Sequence, residues 1–341
     1  MLAAVTQGKE RVALVDVPEP PQPGPGEVLL RPEAVGICGS DLHLVAGELA
    51  VVGNATFPRV QGHELSATIE AVGVGCRPEL EPGQRVALWP LRPCGECYPC
   101  RIGRPNVCAN FSLYGVHVDG GLQERLVVPQ RHVFPVDVDR PAVAALVEPT
   151  SIAMRAVNRA RIESGEPVVV FGAGPIGQVC TLAALDRGAR VLVVDLVTER
   201  LERSRAFGAD VLTWTDRGSV VAAATEWAGG DVPVSLDCSG AADAVLAGIE
   251  MASRAGRVVL VGMSGAAVPS PVVTFVAKEL DVLGVSVCQA DEFAQAVSLV
   301  ERYQDAMAAL ISHEFPFERT ADALAFAMEH PTEVMKVVIN L

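Results

Sequence analysis

The feature that most constrains this chain is a glycine-rich turn set between an apolar run and a helical pattern. Gly172-Ala173-Gly174-Pro175-Ile176-Gly177 directly follows the apolar run 168–171 and opens a helical stretch over 175–187. The first glycine permits a tight turn, the second lets the backbone approach a pyrophosphate, and the third lets helix pack on strand. The phosphate then rests on unpaired N–H groups at the positive end of the helix. A lone GxGxxG is weak, but the surrounding grammar agrees with it. Apolar runs at 168–171, 191–194, 211–214, 234–238, 258–261 and 280–285 alternate with helical stretches such as 175–187, 198–207 and 241–254. Six strands with helical crossovers predict a doubly wound parallel sheet with right-handed connections, an α/β architecture.

Asp195 ends the second of these strands, 18 residues beyond Gly177. A carboxylate there accepts hydrogen bonds from the adenosine ribose diol and repels a 2′-phosphate, so NAD is expected over NADP. Arg200, five residues on, can pair with Asp195, stack on adenine or reach a 2′-phosphate.

Residues 1–150 follow another pattern. Short β-prone runs at 27–31, 68–72, 85–88 and 124–128 are separated by Pro/Gly punctuation, notably over 18–26, which continues neither a helix nor a central strand. In the tail, Phe293, Val297 and Val300, then Leu324 and Met328, recur at helical spacing around a predicted strand at 313–317, with a closing strand over 334–341. The reading is a β-rich domain over 1–150 with a cysteine lobe at 90–110, a dinucleotide-binding domain over 151–289, and a tail over 290–341 that packs back on the first domain.

Composition narrows the partners. A formal charge of −14 sets the chain against phosphate polymers, so no nucleic-acid partner is expected. No run of 18 apolar residues occurs, which excludes a membrane helix, and the N-terminus has no basic segment followed by an apolar one. Nine cysteines, an odd count in 341 residues, argue for reduced thiols, so a soluble cytoplasmic protein is expected.

Four of those cysteines cluster. Cys94-x2-Cys97-x2-Cys100-x7-Cys108 is interleaved with Pro93, Gly95, Pro99 and Gly103 in a loop too broken for a helix. Four thiolates around one ion leave no room for substrate, so the group reads as structural zinc. An iron–sulfur cluster and a zinc-ribbon nucleic-acid reader are the rivals; the acidic balance opposes the second. Cys76, Cys180, Cys238 and Cys288 stand singly and read as ordinary core residues.

Reactive side chains also occur in Cys38-Gly39-Ser40-Asp41-Leu42-His43, in Gly62-His63-Glu64 and at Glu148-Pro149. Spacing alone does not show that they meet, and each by itself reads as structural. Their order is what matters. The succession 35–43, 62–64, the four-cysteine lobe, Glu148-Pro149, Gly172–Gly177 and Asp195 resembles the zinc-containing medium-chain dehydrogenase/reductase superfamily, in its sorbitol, threonine and sugar-acid dehydrogenase branch, over essentially the whole chain.

The resemblance implies a GroES-like β-rich catalytic domain, completed by the tail, facing a Rossmann domain across a cleft. It implies two zinc ions per chain and NAD. Cys38 and His63 match catalytic-zinc ligands, and Glu64 and Glu148 match the two glutamates that variously complete the sphere, with Glu64 favoured as direct ligand and Glu148 adjacent. Ser40 and His43 match proton-relay positions. Asp195 and Arg200 match adenosine-ribose contacts, Pro175 and Ile176 lie with the glycines under the cofactor, and Gly262 and Ser286 match its nicotinamide end. An ion with three protein ligands and an open place acidifies a bound alcohol, and the cofactor accepts the hydride. A homotetramer or homodimer is implied, partly through edge-strand pairing near 280–285.

The branch often carries an arginine near the end of the sixth strand, but Gly284-Val285-Ser286-Val287-Cys288 holds no basic residue. Neutral polyols, cyclitols and secondary alcohols are therefore favoured over sugar acids. The stretch 114–121 reads as a β-hairpin with its turn at Asp119-Gly120-Gly121, with His117 as a pocket-lining alternative. His132, His313 and His330 read as structural or surface residues. An NADP-dependent alcohol or sugar-acid dehydrogenase, and a zinc-stabilised dinucleotide binder without turnover, are the alternative functions.

Overall fold

The computed structural model describes residues 1–53, 55–265, 267–269 and 271–341. Two compact units divide the chain, one made of Met1–Ser151 with Cys288–Leu341, the other of Ile152–Val287. Among the described residues no helix is long and apolar enough to cross a membrane.

The first unit is built on a seven-stranded sheet. Its path runs Val133–Pro135, Arg85–Leu88, Glu64–Val72, Glu27–Gly36, Lys336–Asn340 and Ile311–Pro316, and Leu126–Pro129 also pairs with Glu27–Gly36. The closing strand thus pairs antiparallel with a strand from the chain's beginning, Ile339 opposite Val35 and Val338 opposite Gly36. Alternation drives this pairing. Val28 and Leu30, Leu65, Ile69, Val86 and Leu88, Val337 and Ile339 all point into one core, joined by Leu324 and Ala327 from the helix Thr320–Glu329. Leu65 is 1% exposed, so Leu65→Ala would cost roughly 2–5 kcal/mol.

Residues 114–121 do not form the expected hairpin. Gly120 N–H donates to the Val60 carbonyl and Gly121 N–H to that of Gly62, so the segment lies against the chain around 60–62. A Cβ on Gly120 would stand 2.3 Å from the Gly62 oxygen, so the glycine serves close backbone approach and not a turn. Asp119 accepts from Val60 N–H and Arg59.

The second unit holds six strands, all parallel, in the order Asp210–Thr213, Arg190–Asp195, Pro167–Phe171, Val232–Asp237, Ala252–Leu260, Asp281–Gly284. Numbered by sequence this is 3-2-1-4-5-6, the doubly wound arrangement whose switch point lies between the first and fourth strands. The runs are apolar throughout because helices cover both faces, and Val168, Val169, Val170, Val234 and Leu236 are fully buried. The helix after the fourth strand ends at Met251, short of the expected 254. Ala255 at φ 57° precedes Gly256, which turns the chain within a strand beginning at Ala252. Among the described residues the strand Asp281–Gly284 pairs on one side only, leaving Val282 on an open edge.

Candidate active site

A buried cluster of ionisable side chains lies in the first unit. Cys38 is the N-cap residue of the short helix Gly39–Val45, and Asp41 in its first turn accepts from Cys38 N–H at 2.9 Å. His63 and Glu64 stand where Glu64–Val72 begins, and Glu64 pairs in register with Gly36. A Cβ at Gly36 would sit 2.1 Å from Glu64 Oε2, so only glycine lets that carboxylate turn across the strand. The ligand atoms of Cys38, His63 and Glu64 all lie within 4.8 Å of one another. That is the spread one ion bonded at about 2.0–2.3 Å requires, and thiolate, imidazole and carboxylate are the donor types zinc takes.

Charge in the cluster points the same way. Lys336, in the closing strand, donates to Glu64 Oε1 at 2.7 Å and Oε2 at 2.8 Å, and to the Ile37 carbonyl. Both partners are almost wholly buried, Lys336 at 5% and Glu64 at 1% exposed. Burial alone would push the ammonium down, but Glu64 and Cys38 hold it above its ordinary range. Burial would likewise push His63 down, yet Asp41 and Cys38 carry it well above its usual value. Burial, with Glu64 nearby, raises the Glu148 carboxyl to about 7. Asp41 too is raised, chiefly by burial. Four groups able to carry negative charge thus face one lysine and one histidine, an environment that favours a cation. His63 Nδ1 is buried 3.7 Å from Asp41 Oδ1 and has no hydrogen-bond partner among the described residues, while Nε2 lies 3.4 Å from Ser40 Oγ.

No direct hydrogen bond joins Ser40 to His43, which stand three residues apart on the helix Gly39–Val45. Ser40 faces His63, whereas His43, half exposed, joins its Nδ1 to Glu48 Oε2 at 2.6 Å. His117 is a packing residue: its Nδ1 accepts from Leu113 N–H, its ring meets Phe111 edge-on, and burial lowers its pKa. His132 is fully buried with Nδ1 on the Trp89 carbonyl, and His313 and His330 pack on Phe326.

The four-cysteine lobe is a separate group. Sγ–Sγ separations are 3.5 Å for Cys97–Cys100, 3.6 Å for Cys97–Cys108 and 3.4 Å for Cys94–Cys108. Four sulfurs tetrahedral at about 2.3 Å from an ion lie about 3.8 Å apart, so the spacing suits zinc and is far too long for disulfides. Backbone N–H groups of Cys94 and Asn110 point at Cys108 Sγ, and that of Ala109 at Cys97 Sγ. Such donors hold the Cys97 thiol down to about 6. All nine cysteines are free.

In the second unit the glycine-rich turn has the shape a dinucleotide needs. Gly172 has φ 90°, a Cβ on Gly174 would meet nothing within 4 Å, and one on Gly177 would stand 1.7 Å from the Gly172 oxygen. The first bends the chain, the second leaves open space for a ligand, and the third presses helix on turn. Pro175 and half-buried Ile176 start the helix. Asp195 Oδ2 accepts from Ala173 N–H at 2.6 Å and Oδ1 from Val197 N–H at 2.8 Å, so each oxygen keeps a lone pair for a ribose hydroxyl. Asp195 lines an open groove with Gly172, Leu196, Val197, Arg200 and Trp214. Gly262 and Ser286 follow the fifth and sixth strands at the same carboxyl edge of the sheet.

Residues 24–138 match the alcohol dehydrogenase GroES-like domain, and residues 175–302 the zinc-binding dehydrogenase family. The chain belongs to the zinc-binding alcohol dehydrogenase family. It is 34% identical to human sorbitol dehydrogenase, over 94% of this chain and 91% of that protein. L-galactonate-5-dehydrogenase of Escherichia coli K12 is 32% identical, over 94% of each. Among solved structures, RspB of Escherichia coli CFT073 complexed with NADH superposes with a TM-score of 0.88 at 29% identity, covering 100% of this chain and 99% of that one. As a member of this dehydrogenase family the chain is an NAD(P)-dependent oxidoreductase, which sets aside a binder without turnover.

Sequence reasoning missed Glu48 and Lys336, and quoted Gly36 and Asp41 without a role. Lys336 carried a signal: a lone lysine inside the apolar stretch Met335-Lys336-Val337-Val338-Ile339 is out of place unless it is paired.

Proposed function

We propose that this chain oxidises a secondary alcohol, on a neutral polyol, cyclitol or sugar-derived molecule, to the ketone, with NAD as hydride acceptor. The buried convergence of Cys38, His63 and Glu64 carries this reading. Those three residues hold the catalytic zinc, with Glu148 beside it, and Cys94, Cys97, Cys100 and Cys108 hold a structural one. When bound, zinc supplies Lewis acidity and NAD accepts the hydride. Lys336 offsets the negative charge of Glu64, and Asp41, 3.7 Å from His63 Nδ1, pairs with that ring electrostatically. Ser40, whose hydroxyl faces the metal ligands, takes the alcohol proton, and His43, exposed at the next turn of the same helix, passes it to water.

The glycine cradle takes the pyrophosphate, with Pro175 and Ile176 at the helix start. Asp195 takes the ribose diol, Arg200 flanks it, and Gly262 and Ser286 lie toward the nicotinamide. The chain works in the cytoplasm, where its thiols stay reduced, as a homo-oligomer, dimer or tetramer, paired through the open edge at Asp281–Gly284 and the exposed Val272, Val273 and Val276 beside it.

A panel of polyols, cyclitols, secondary alcohols and aldonic acids, followed by NADH absorbance with zinc-loaded protein, tests the substrate class. Neutral substrates should exceed aldonic acids, and NAD should exceed NADP. Turnover confined to aldonic acids, or faster with NADP, would refute the corresponding part.

A further inference from the structure

We infer that Glu48 is a positioning residue for proton release: it fixes His43 as the Nδ1–H tautomer and so leaves Nε2 as the proton acceptor. The inference rests on the reading of His43 as the relay terminus. His43 occupies the last turn of the helix Gly39–Val45, one turn beyond Ser40. Gly47, at φ 76°, takes the left-handed conformation after that helix and turns the chain back. Glu48 is then tied to His43 at two points. Its backbone N–H donates to the His43 carbonyl at 2.9 Å, and its Oε2 lies 2.6 Å from His43 Nδ1.

A carboxylate can only accept, so Nδ1 must carry the hydrogen. The two side chains are 47% and 54% exposed, and an ion pair that open to water adds little to stability. Its effect is therefore on the ring: which nitrogen is free, and where it points. In the step itself, the Nε2 lone pair takes, across a bridging water, the proton arriving from the alcohol through the Ser40 hydroxyl. An O–H bond breaks as an N–H bond forms, and the imidazolium, facing Glu48, then gives that proton to water. No oxidant or further reactant is involved. The backbone bond from Glu48 does not depend on its side chain, so the loop should survive a change there.

Two measurements test this on the zinc-loaded protein. The chain has six histidines, so a nitrogen-15 histidine spectrum can be assigned to His43 by comparison with His43→Gln. Wild type should show the Nδ1–H tautomer, and Glu48→Ala should shift it toward Nε2–H. Single-turnover proton release, read with a pH indicator, should slow about tenfold in Glu48→Ala, as for other partners that orient an imidazole. Apparent NAD affinity should not change. Glu48→Gln, whose amide oxygen still accepts from Nδ1–H, should recover most of the rate. Glu48→Ala should have no further effect in a His43→Ala background. An Nε2–H tautomer in wild type, or a Glu48→Ala defect that persists without His43, would overturn the role of Glu48. A His43→Ala enzyme releasing protons at the wild-type rate would instead remove the relay reading, while the tautomer result would still report on the pairing.

Discussion

The two candidate metal groups of the first unit differ in nearly every physical respect. The four-thiol lobe draws its ligands from a single loop, is exposed or half-buried except at Cys108, and gathers backbone N–H donors around its sulfurs. Such a site is closed and locally complete, and its effect is on structure. The mixed cluster draws Cys38, His63, Glu64, Glu148 and Lys336 from separate segments and buries nearly all of their charge. It exists only because the sheet sets Glu27–Gly36 between Glu64–Val72 and the closing strand Lys336–Asn340. Burying that much charge is unfavourable unless each group is compensated, a cost typical of sites kept for chemistry.

Substitutions on either side should separate the two. Cys38→Ser removes a ligand from the mixed cluster and should lower turnover by several kcal/mol of barrier, roughly a thousandfold or more, while NADH binding persists. Cys97→Ser should do the reverse: one zinc lost from the lobe, a lowered melting temperature and early proteolysis within residues 94–108, read by melting curves and limited digestion. A comparable fall in melting temperature from both would end the division between a structural and a chemical site.

Lys336→Met probes how the mixed cluster tolerates its charge. It strands the Glu64 carboxylate in the interior, and loss of one partner of a buried pair costs about 3–5 kcal/mol. Denaturant unfolding should show that loss, and adding Glu64→Gln should recover part of it. An unchanged midpoint in the single variant would mean that Glu64 is compensated by something other than Lys336.

At the base of the lobe, His132 stacks on Trp89 and meets Tyr114 edge-on. Burial, with Arg131 and Arg92 nearby, lowers it to about 4. Between pH 6.5 and pH 4 the unfolded chain binds a proton there that the native state refuses. Its contribution to stability is full above pH 6.5 and falls with acidification, by about 3 kcal/mol in all. His132→Gln should flatten the stability-versus-pH curve by that amount, and an equal slope in both proteins would contradict it.

The same contrast explains what the sequence could reveal. The lobe was legible because its four ligands and their Pro/Gly spacers are contiguous. The dinucleotide turn was legible because Gly172, Gly174 and Gly177 each answer a local steric demand between a strand and a helix. The mixed cluster could be assembled only through resemblance, since no local rule links residue 38 to 63, 148 or 336. Lys336 and Glu64 are 272 positions apart, and their pairing depends on sheet register. The stretch 114–121 misled because an Asp-Gly-Gly turn signal looks the same whether its glycines bend the chain or let two backbones touch.

A chelator titration bears most directly on the central claim. Pyridine-2,6-dicarboxylate would be added stepwise while zinc per chain, NADH formation from a polyol and melting temperature are followed on the same samples. Two zinc ions per chain should be released, with loss of one abolishing turnover at a nearly constant melting temperature and loss of the other lowering the melting temperature. A single zinc per chain, or turnover that survives removal of both, would contradict the account.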